Sequence, residues 1–186
     1  TAENGLIFFD DGTPAYLTKR FDLDENGEKL AVEDFASILG KSPQTHGEQY
    51  KYTGSYIDLF SAIKQHLPAW QVEQHKLYQL ILFNYLFSNG DAHLKNFSII
   101  ETSQGDFKLA PAYDLMNTRI HIEDADFALS EKIYPKSKGK IAAQFFTLAE
   151  EVGISQALAQ KHMKKMISFS DKVIDLVNKS FLSESL

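Results

Sequence analysis

The stretch FSNGDAHLKNFSII, from Phe87 to Ile100, joins two unlike patterns. Before it, LYQLILFNYLF (Leu77 to Phe87) is apolar on nearly every side, as a helix in the middle of a domain must be. After it, FSII (Phe97 to Ile100) and FKLA (Phe107 to Ala110) flank ETSQGD, which reads as a hairpin. Between the two patterns Asn89 and Gly90 end the helical run, and Asp91, His93, Lys95 and Asn96 follow at once. Taken alone, SNGD is a good surface turn. It becomes a site only if other chemistry-bearing residues are brought to it.

Outward from this loop the chain divides into short strands and longer helices. Leu6 to Phe9 and Ala15 to Arg20 lie on either side of Asp10, Asp11 and Gly12, a hairpin signal. AVEDFASILG places Phe35, Ile38 and Leu39 at helical spacing and ends at Gly40, which predicts a short helix. Residues 41–54 are loop by composition. Ser55 then caps YIDLFSAIKQHL, where Tyr56, Leu59, Phe60 and Ile63 share a face. Trp70, just after Pro68, marks the start of the next helix, in which Phe83, Tyr85 and Phe87 read as core aromatics. Towards the C-terminus, IAAQFFTLAEEVG is a helix ending at Gly153, and Ser155 caps a long run carrying Leu158, Met166, Phe169, Ile174 and Val177. Whether that run breaks near Ser168 and Ser170 is open. The expected class is α+β, mainly α, with two small β-hairpins.

The 186 residues suit one ordinary domain, and 44 % hydrophobic with 24 % charged residues is the composition of a globular protein. A net charge of −6 repels polyanions, so direct nucleic-acid binding is not expected. Two basic clusters, Lys132, Lys136, Lys138 and Lys140, then Lys161, Lys164 and Lys165, read as solvated faces. The chain has no cysteine, which removes disulfides, thiolate metal sites and a cysteine nucleophile together and suits a reducing cytoplasm. No apolar run approaches the about 18 residues of a membrane span, and no secretory signal is visible. Thr1 stands where an initiating Met would, which raises the expectation of a larger protein continuing upstream.

The chemistry concentrates around the central loop. Asp91 and Asn96 are five apart, and Asp114 follows the hairpin in APAYDLMNT. Three oxygen-bearing side chains can therefore meet. Hard oxygen ligands suit Mg2+, which takes one or two from the protein and the rest from phosphate and water. Protein kinases use an Asp to accept the substrate hydroxyl's proton, an Asn five residues on, and a metal-binding Asp beyond a hairpin. The order here is the same.

With those motifs in view, NGDAHLKNFSII, FKLAPAYDLMNT, LTKRFD and VEDFASILG closely resemble, in their respective places, the HipA family of bacterial serine/threonine kinases, toxins of toxin-antitoxin systems. The resemblance runs from the first hairpin to the last helices and corresponds to the later part of such a kinase. It implies a protein-kinase-like C-terminal lobe over residues 23–186, preceded by a hinge-side β-hairpin over residues 1–22. It implies that Asp91 is the catalytic base. His93, Leu94, Lys95 and Asn96 would lie along the phosphates of ATP, and Asn96 and Asp114 would hold Mg2+. Tyr113 and Asp114 match the pair that replaces Asp-Phe-Gly, and Lys19, Arg20 and Phe21 match the hinge that holds adenine. The implied reaction is transfer of the ATP γ-phosphoryl group to a protein Ser or Thr. The implied partners are a protein substrate, for which an aminoacyl-tRNA synthetase is one candidate, and a HipB-like antitoxin.

A kinase also needs a phosphate-covering loop and a phosphate-paired lysine from its small lobe. Gly5 and Gly12 form no glycine-rich loop, and Lys19 belongs to the hinge-like motif. In HipA-like proteins those parts come from upstream sequence, so the 186 residues alone are expected to bind nucleotide weakly. Two other readings compete with the kinase. One is a non-catalytic HipA-like interaction module. The other is a metal-dependent phosphoesterase built on Asp91-x-His93, which would need further ligands that the contexts of His46, His66, His75, His121 and His162 do not suggest. Within residues 115–130, where kinases keep an activation segment, Thr118 and Ser130 are conceivable phosphorylation sites.

Overall fold

The computed structural model describes residues 1–129 and 140–181; Ser130, Lys132, Lys136 and Lys138 lie outside them. The chain opens with an antiparallel hairpin of β1 (Asn4–Phe8) and β2 (Pro14–Thr18), in which Leu6 faces Tyr16. The turn between them contains Gly12 at φ +82°, a left-handed conformation that glycine adopts without cost.

The stretch expected as one helix from Ala31 to Gly40 is divided. Val32–Asp34 forms β3, paired antiparallel with β4 (Ser98–Glu101), and only Phe35–Ile38 is helical (α1). Asp34 ends the strand and caps the helix, its Oδ1 accepting the Ser37 N–H at 2.9 Å. The apolar spacing of Phe35, Ile38 and Leu39 is the same whether the helix starts at 31 or 35, so periodicity could not detect the strand. With β5 (Phe107–Leu109) on its other side, β4 becomes the middle of a three-stranded sheet of order β3-β4-β5. The second of the two expected hairpins is therefore part of a larger sheet.

Residues 41–54 are not all irregular. They contain the single-turn helix α2 (Pro43–His46) and a 3-10 turn at Tyr50–Tyr52. Ser55 then caps α3 (Tyr56–His66) in a reciprocal box: its Oγ accepts from the Asp58 N–H, and Asp58 accepts the Ser55 N–H at 2.8 Å.

The central helix α4 (Trp70–Leu86) buries Leu77, Tyr78, Ile81 and Leu82, each worth about 1.5–3 kcal/mol of transfer free energy when it leaves water. It also buries the carboxylate of Glu73. One oxygen accepts the Leu109 N–H at 3.1 Å and the other the Lys76 ammonium at 2.7 Å, which fastens α4 to β5. Behind α4 pack α5 (Ile141–Glu151) and α6 (Gln156–Ile167), with the Tyr78 hydroxyl donating to the Phe145 carbonyl at 3.1 Å.

The long C-terminal run breaks at Ser168 and Phe169, and α7 (Ser170–Asn178) follows as a separate helix with no buried residue. Lys161, Lys164 and Lys165 are exposed on α6, as a solvated face requires. Among the described residues no helix is long and apolar enough to cross a membrane.

Candidate active site

The site begins where α4 ends. Ser88 takes φ 54°, a left-handed conformation that costs a non-glycine residue energy and turns the chain sharply. Asn89 then folds back, its N–H donating to the Asn84 carbonyl at 2.8 Å. The Asn89 amide nitrogen donates to Asn84 Oδ1 at 3.2 Å and to the Asp114 carbonyl at 3.1 Å. One buried side chain thus holds the loop and the segment after β5 together.

Thr118 supplies a second clamp. Its hydroxyl donates to the Ser88 carbonyl at 3.0 Å and accepts the Gly90 N–H at 3.1 Å, while its own N–H donates to Ser88 at 3.1 Å. Thr118, one of two conceivable phosphorylation sites in the sequence, is buried and its hydroxyl is engaged on both sides. Gly90 sits so close to the segment that follows that a Cβ there would lie 2.5 Å from the Ala125 carbonyl oxygen and 2.5 Å from Asp124 Oδ2.

Asp91 is half-buried, and its Oδ1 accepts a 2.7 Å hydrogen bond from the Tyr52 hydroxyl, 39 residues earlier. The Tyr52 phenol is pushed up to about 12 by burial first and by Asp91 next, so it remains a donor. The edge of the same ring meets the His93 imidazole, with centroids 5.2 Å apart. His93 is buried, and among the described residues its Nδ1 has no hydrogen-bond partner. Burial holds its pKa below the usual imidazole value and the Lys51 ammonium acts the same way, against Asp91 and Asp114.

A 3-10 turn, Leu94–Asn96, completes the loop. The Leu94 side chain is fully buried in the core, so only its backbone can face a ligand. Lys95 is exposed, with Nζ 3.6 Å from Asp34 Oδ2. Asn96 is buried between two segments: Oδ1 accepts the His93 N–H at 3.0 Å, and Nδ2 donates to Asp114 Oδ2 at 2.5 Å. Asp114 takes φ 54°, a second left-handed non-glycine conformation. Two such residues in one site are the strain expected where side chains must be aimed.

Tyr113 closes the opposite side. Its hydroxyl is 2.5 Å from Ser98 Oγ and donates to the Lys95 carbonyl at 2.6 Å. Its ring stacks with Phe21 at a centroid distance of 6.0 Å. The two cations beside Phe21 are turned to other partners: Lys19 pairs with Glu3 at 3.2 Å, and Arg20 with Asp22 at 2.5 Å. Asn96 and Asp114 are therefore in direct contact, His93 lies in the field of both Asp91 and Asp114, and Tyr113 bonds the Lys95 carbonyl of the same loop and stacks with Phe21. Among the described residues Lys19 and Arg20 pair with Glu3 and Asp22 and form no ion pair with these groups.

A cavity of about 520 Å³ opens beside Asp91, walled by Tyr52, Gly90, Met116, Thr118 and Ile122. Asn96 and Asp114, which are not among its lining residues, form a pair of oxygen-bearing side chains of the kind a hard cation accepts. Asn96 now turns its amide nitrogen to Asp114, so the amide must rotate to offer oxygen to a cation. The donor set fits magnesium with phosphate oxygens completing the shell. Among the described residues no three His, Cys, Asp or Glu side chains cluster as a self-sufficient metal site.

Sequence reasoning missed Tyr52 and Ser98 as parts of this site and did not foresee the bonds that Asn89 and Thr118 make. Tyr52 lies in a stretch read as loop, and no periodic or spacing signal ties it to Asp91. Asn89 was visible as a helix-ending residue, but its second bond depends on Asp114 arriving beside it.

The chain is 24 % identical over 205 residues to a Haemophilus influenzae protein named "Putative kinase", a match spanning 98 % of this chain and 60 % of that protein. A Sinorhizobium fredii protein named "Putative kinase Y4dM" is 32 % identical over 134 residues, 69 % of this chain and 31 % of the relative. Among solved structures, HipA of the Shewanella oneidensis toxin-antitoxin system, determined with HipB and operator DNA, superposes with a TM-score of 0.75 at 23 % identity. That superposition covers 99 % of this chain and 47 % of HipA, and it shows a shared fold. The chain thus spans less than two thirds of each of these proteins. The profile of the HipA-like C-terminal domain matches residues 1–174, and the chain belongs to that family.

Proposed function

We propose that this chain is the C-terminal catalytic part of a HipA-like protein kinase that transfers the γ-phosphoryl group of ATP to a Ser or Thr hydroxyl of a protein. The observation that supports the reading is the contact of Asn96 Nδ2 with Asp114 Oδ2 at 2.5 Å, made by the same loop that sets Asp91 on the wall of an open cavity. In this reading the acceptor hydroxyl enters that cavity. Its oxygen bonds to the γ-phosphorus as the bond to the leaving ADP oxygen breaks, and its proton passes to an Asp91 carboxylate oxygen.

Asn96 and Asp114 would hold Mg2+, which when bound neutralises charge on the phosphates and orients them. Lys95, exposed at the rim, is free to swing from Asp34 to a phosphate, since an exposed ion pair contributes little. Phe21 and Tyr113 would border adenine, with β1 and β2 as the hinge-side hairpin. A HipB-like protein is the partner this reading implies, because the solved relative was determined with one.

The test is transfer of label from γ-labelled ATP, with magnesium, by the protein at its full natural length. Asp91→Ala and Asp114→Ala each lower transfer by about 100-fold or more while the thermal midpoint stays near that of the wild type. Retained transfer in both variants overturns the assignment. The phosphoesterase alternative lacks the ligand cluster it requires among the described residues.

A further inference from the structure

Tyr52 belongs to no motif, yet its hydroxyl makes the only side-chain hydrogen bond to Asp91 among the described residues. It comes from a different part of the chain, the 3-10 turn before α3, and that turn is well anchored. The Tyr52 N–H donates to the Gln49 carbonyl at 2.9 Å, and Lys41 Nζ donates to the Thr53 carbonyl at 2.9 Å just beyond. The ring is held against His93 on one side, and the Lys51 ammonium lies 4.9 Å from its centroid. The hydroxyl is therefore delivered by a fixed frame, and Asp91 Oδ1 is tied to it.

Resting on the kinase reading above, we infer that Tyr52 is a positioning residue: it binds Asp91 Oδ1 so that Oδ2 is left to receive the acceptor hydroxyl in the adjoining cavity. Three observations converge on this role. Both residues line that cavity. The bond is 2.7 Å, short enough for a phenol to hold a carboxylate in one rotamer. Asp91 sits on a loop whose neighbours are clamped by Thr118 and Asn89, whereas Tyr52 is the side chain that reaches the carboxylate itself.

A carboxylate free to rotate spends less time aimed at the acceptor, and misplacement of that kind slows the chemical step without weakening nucleotide binding. Removing the hydroxyl should therefore act on kcat. The competing role for Tyr52 is the opposite: its hydroxyl could occupy the place of the acceptor hydroxyl and hold the site shut.

The experiment compares wild type, Tyr52→Phe and Asp91→Ala in the full-length protein, following label from γ-labelled ATP with magnesium into the protein itself and into casein. Tyr52→Phe keeps the ring against His93 and is expected to lower kcat by about 10- to 100-fold with the KM for ATP changed less than about 2-fold. Its thermal melt serves as the check on folding. A second readout is the phenol titration of Tyr52 in the 186-residue chain, followed by NMR of labelled tyrosine. Replacing Asp91 by Asn should lower that titration towards ordinary tyrosine. Unchanged or raised kcat in Tyr52→Phe, with Asp91→Ala inactive, overturns the positioning role and leaves the kinase reading standing. Loss restricted to the KM for ATP overturns it as well. A wild type that transfers no label, or an Asp91→Ala variant that still does, overturns the kinase reading and this inference with it.

Discussion

Gly90 shows how much one missing side chain decides. The catalytic-loop candidate passes so close to Ala125 and Asp124 that a Cβ would meet backbone oxygen and carboxylate at 2.5 Å, well inside contact distance. Only glycine allows that approach. Gly90→Ala should destabilise the fold by about 1–3 kcal/mol, read as a lower urea midpoint, and should displace Asp91 from Tyr52. An unchanged midpoint would show that the segment from Ala125 onward can withdraw freely. Asn89 is a related case. Its amide joins two loops that are 25 residues apart in sequence, and a side chain without that reach would leave the Asp114 carbonyl unpaired.

At the scale of elements, α4 is the axis that relates the small sheet to the C-terminal helices. The Glu73 carboxylate, buried near its start, accepts the Leu109 N–H of β5. That bond sets the sheet on the helix that leads into the loop of residues 88–96. Glu73→Ala leaves the Leu109 N–H without its partner in a buried place and should cost about 1–3 kcal/mol in chemical unfolding. Glu73→Gln retains an acceptor oxygen and should cost less. Equal losses for the two variants would mean that the Lys76 ion pair, and not the bond to β5, carries the effect.

At the scale of the whole molecule, the distribution of exposed apolar surface is uneven. Both strands of the first hairpin are exposed, and Phe8 meets Phe181 edge to face at 5.1 Å, joining the two ends of the described chain. The C-terminal helices are held to the core in part by a histidine pair, with His162 Nε2 of α6 3.2 Å from His75 Nδ1 of α4. Burial first, then His75, Lys165 and Lys161, hold the His162 pKa below the usual imidazole value of 6.5.

The sign of the resulting pH dependence follows from proton uptake. Well above pH 6.5 His162 is neutral in folded and unfolded chains alike, and it contributes no slope. Below that, the unfolded chain takes up a proton that the folded chain resists, so stability falls as pH falls. The urea midpoint should drop between pH 7.5 and pH 5.5, and His162→Gln should reduce that drop. An identical drop in the variant would assign the effect to other groups.

Local chemistry was sufficient for much of this architecture. Ser55 and Ser155 as caps, Gly153 past a helix end and the apolar run from Leu77 could be read because capping and periodicity involve neighbours within a turn or two. The order Asp91, Asn96, Asp114 was legible for the same reason, as spacing along one chain. Tertiary structure decided the rest. It made Val32–Asp34 a strand, since a strand of three residues exists only once β4 offers its edge. It buried Thr118 under the loop of residues 88–96, and it brought Tyr52 to Asp91 across 39 residues of sequence. Those contacts depend on which elements pack together, and the folded packing of α3, α4 and the sheet brings their partners within reach.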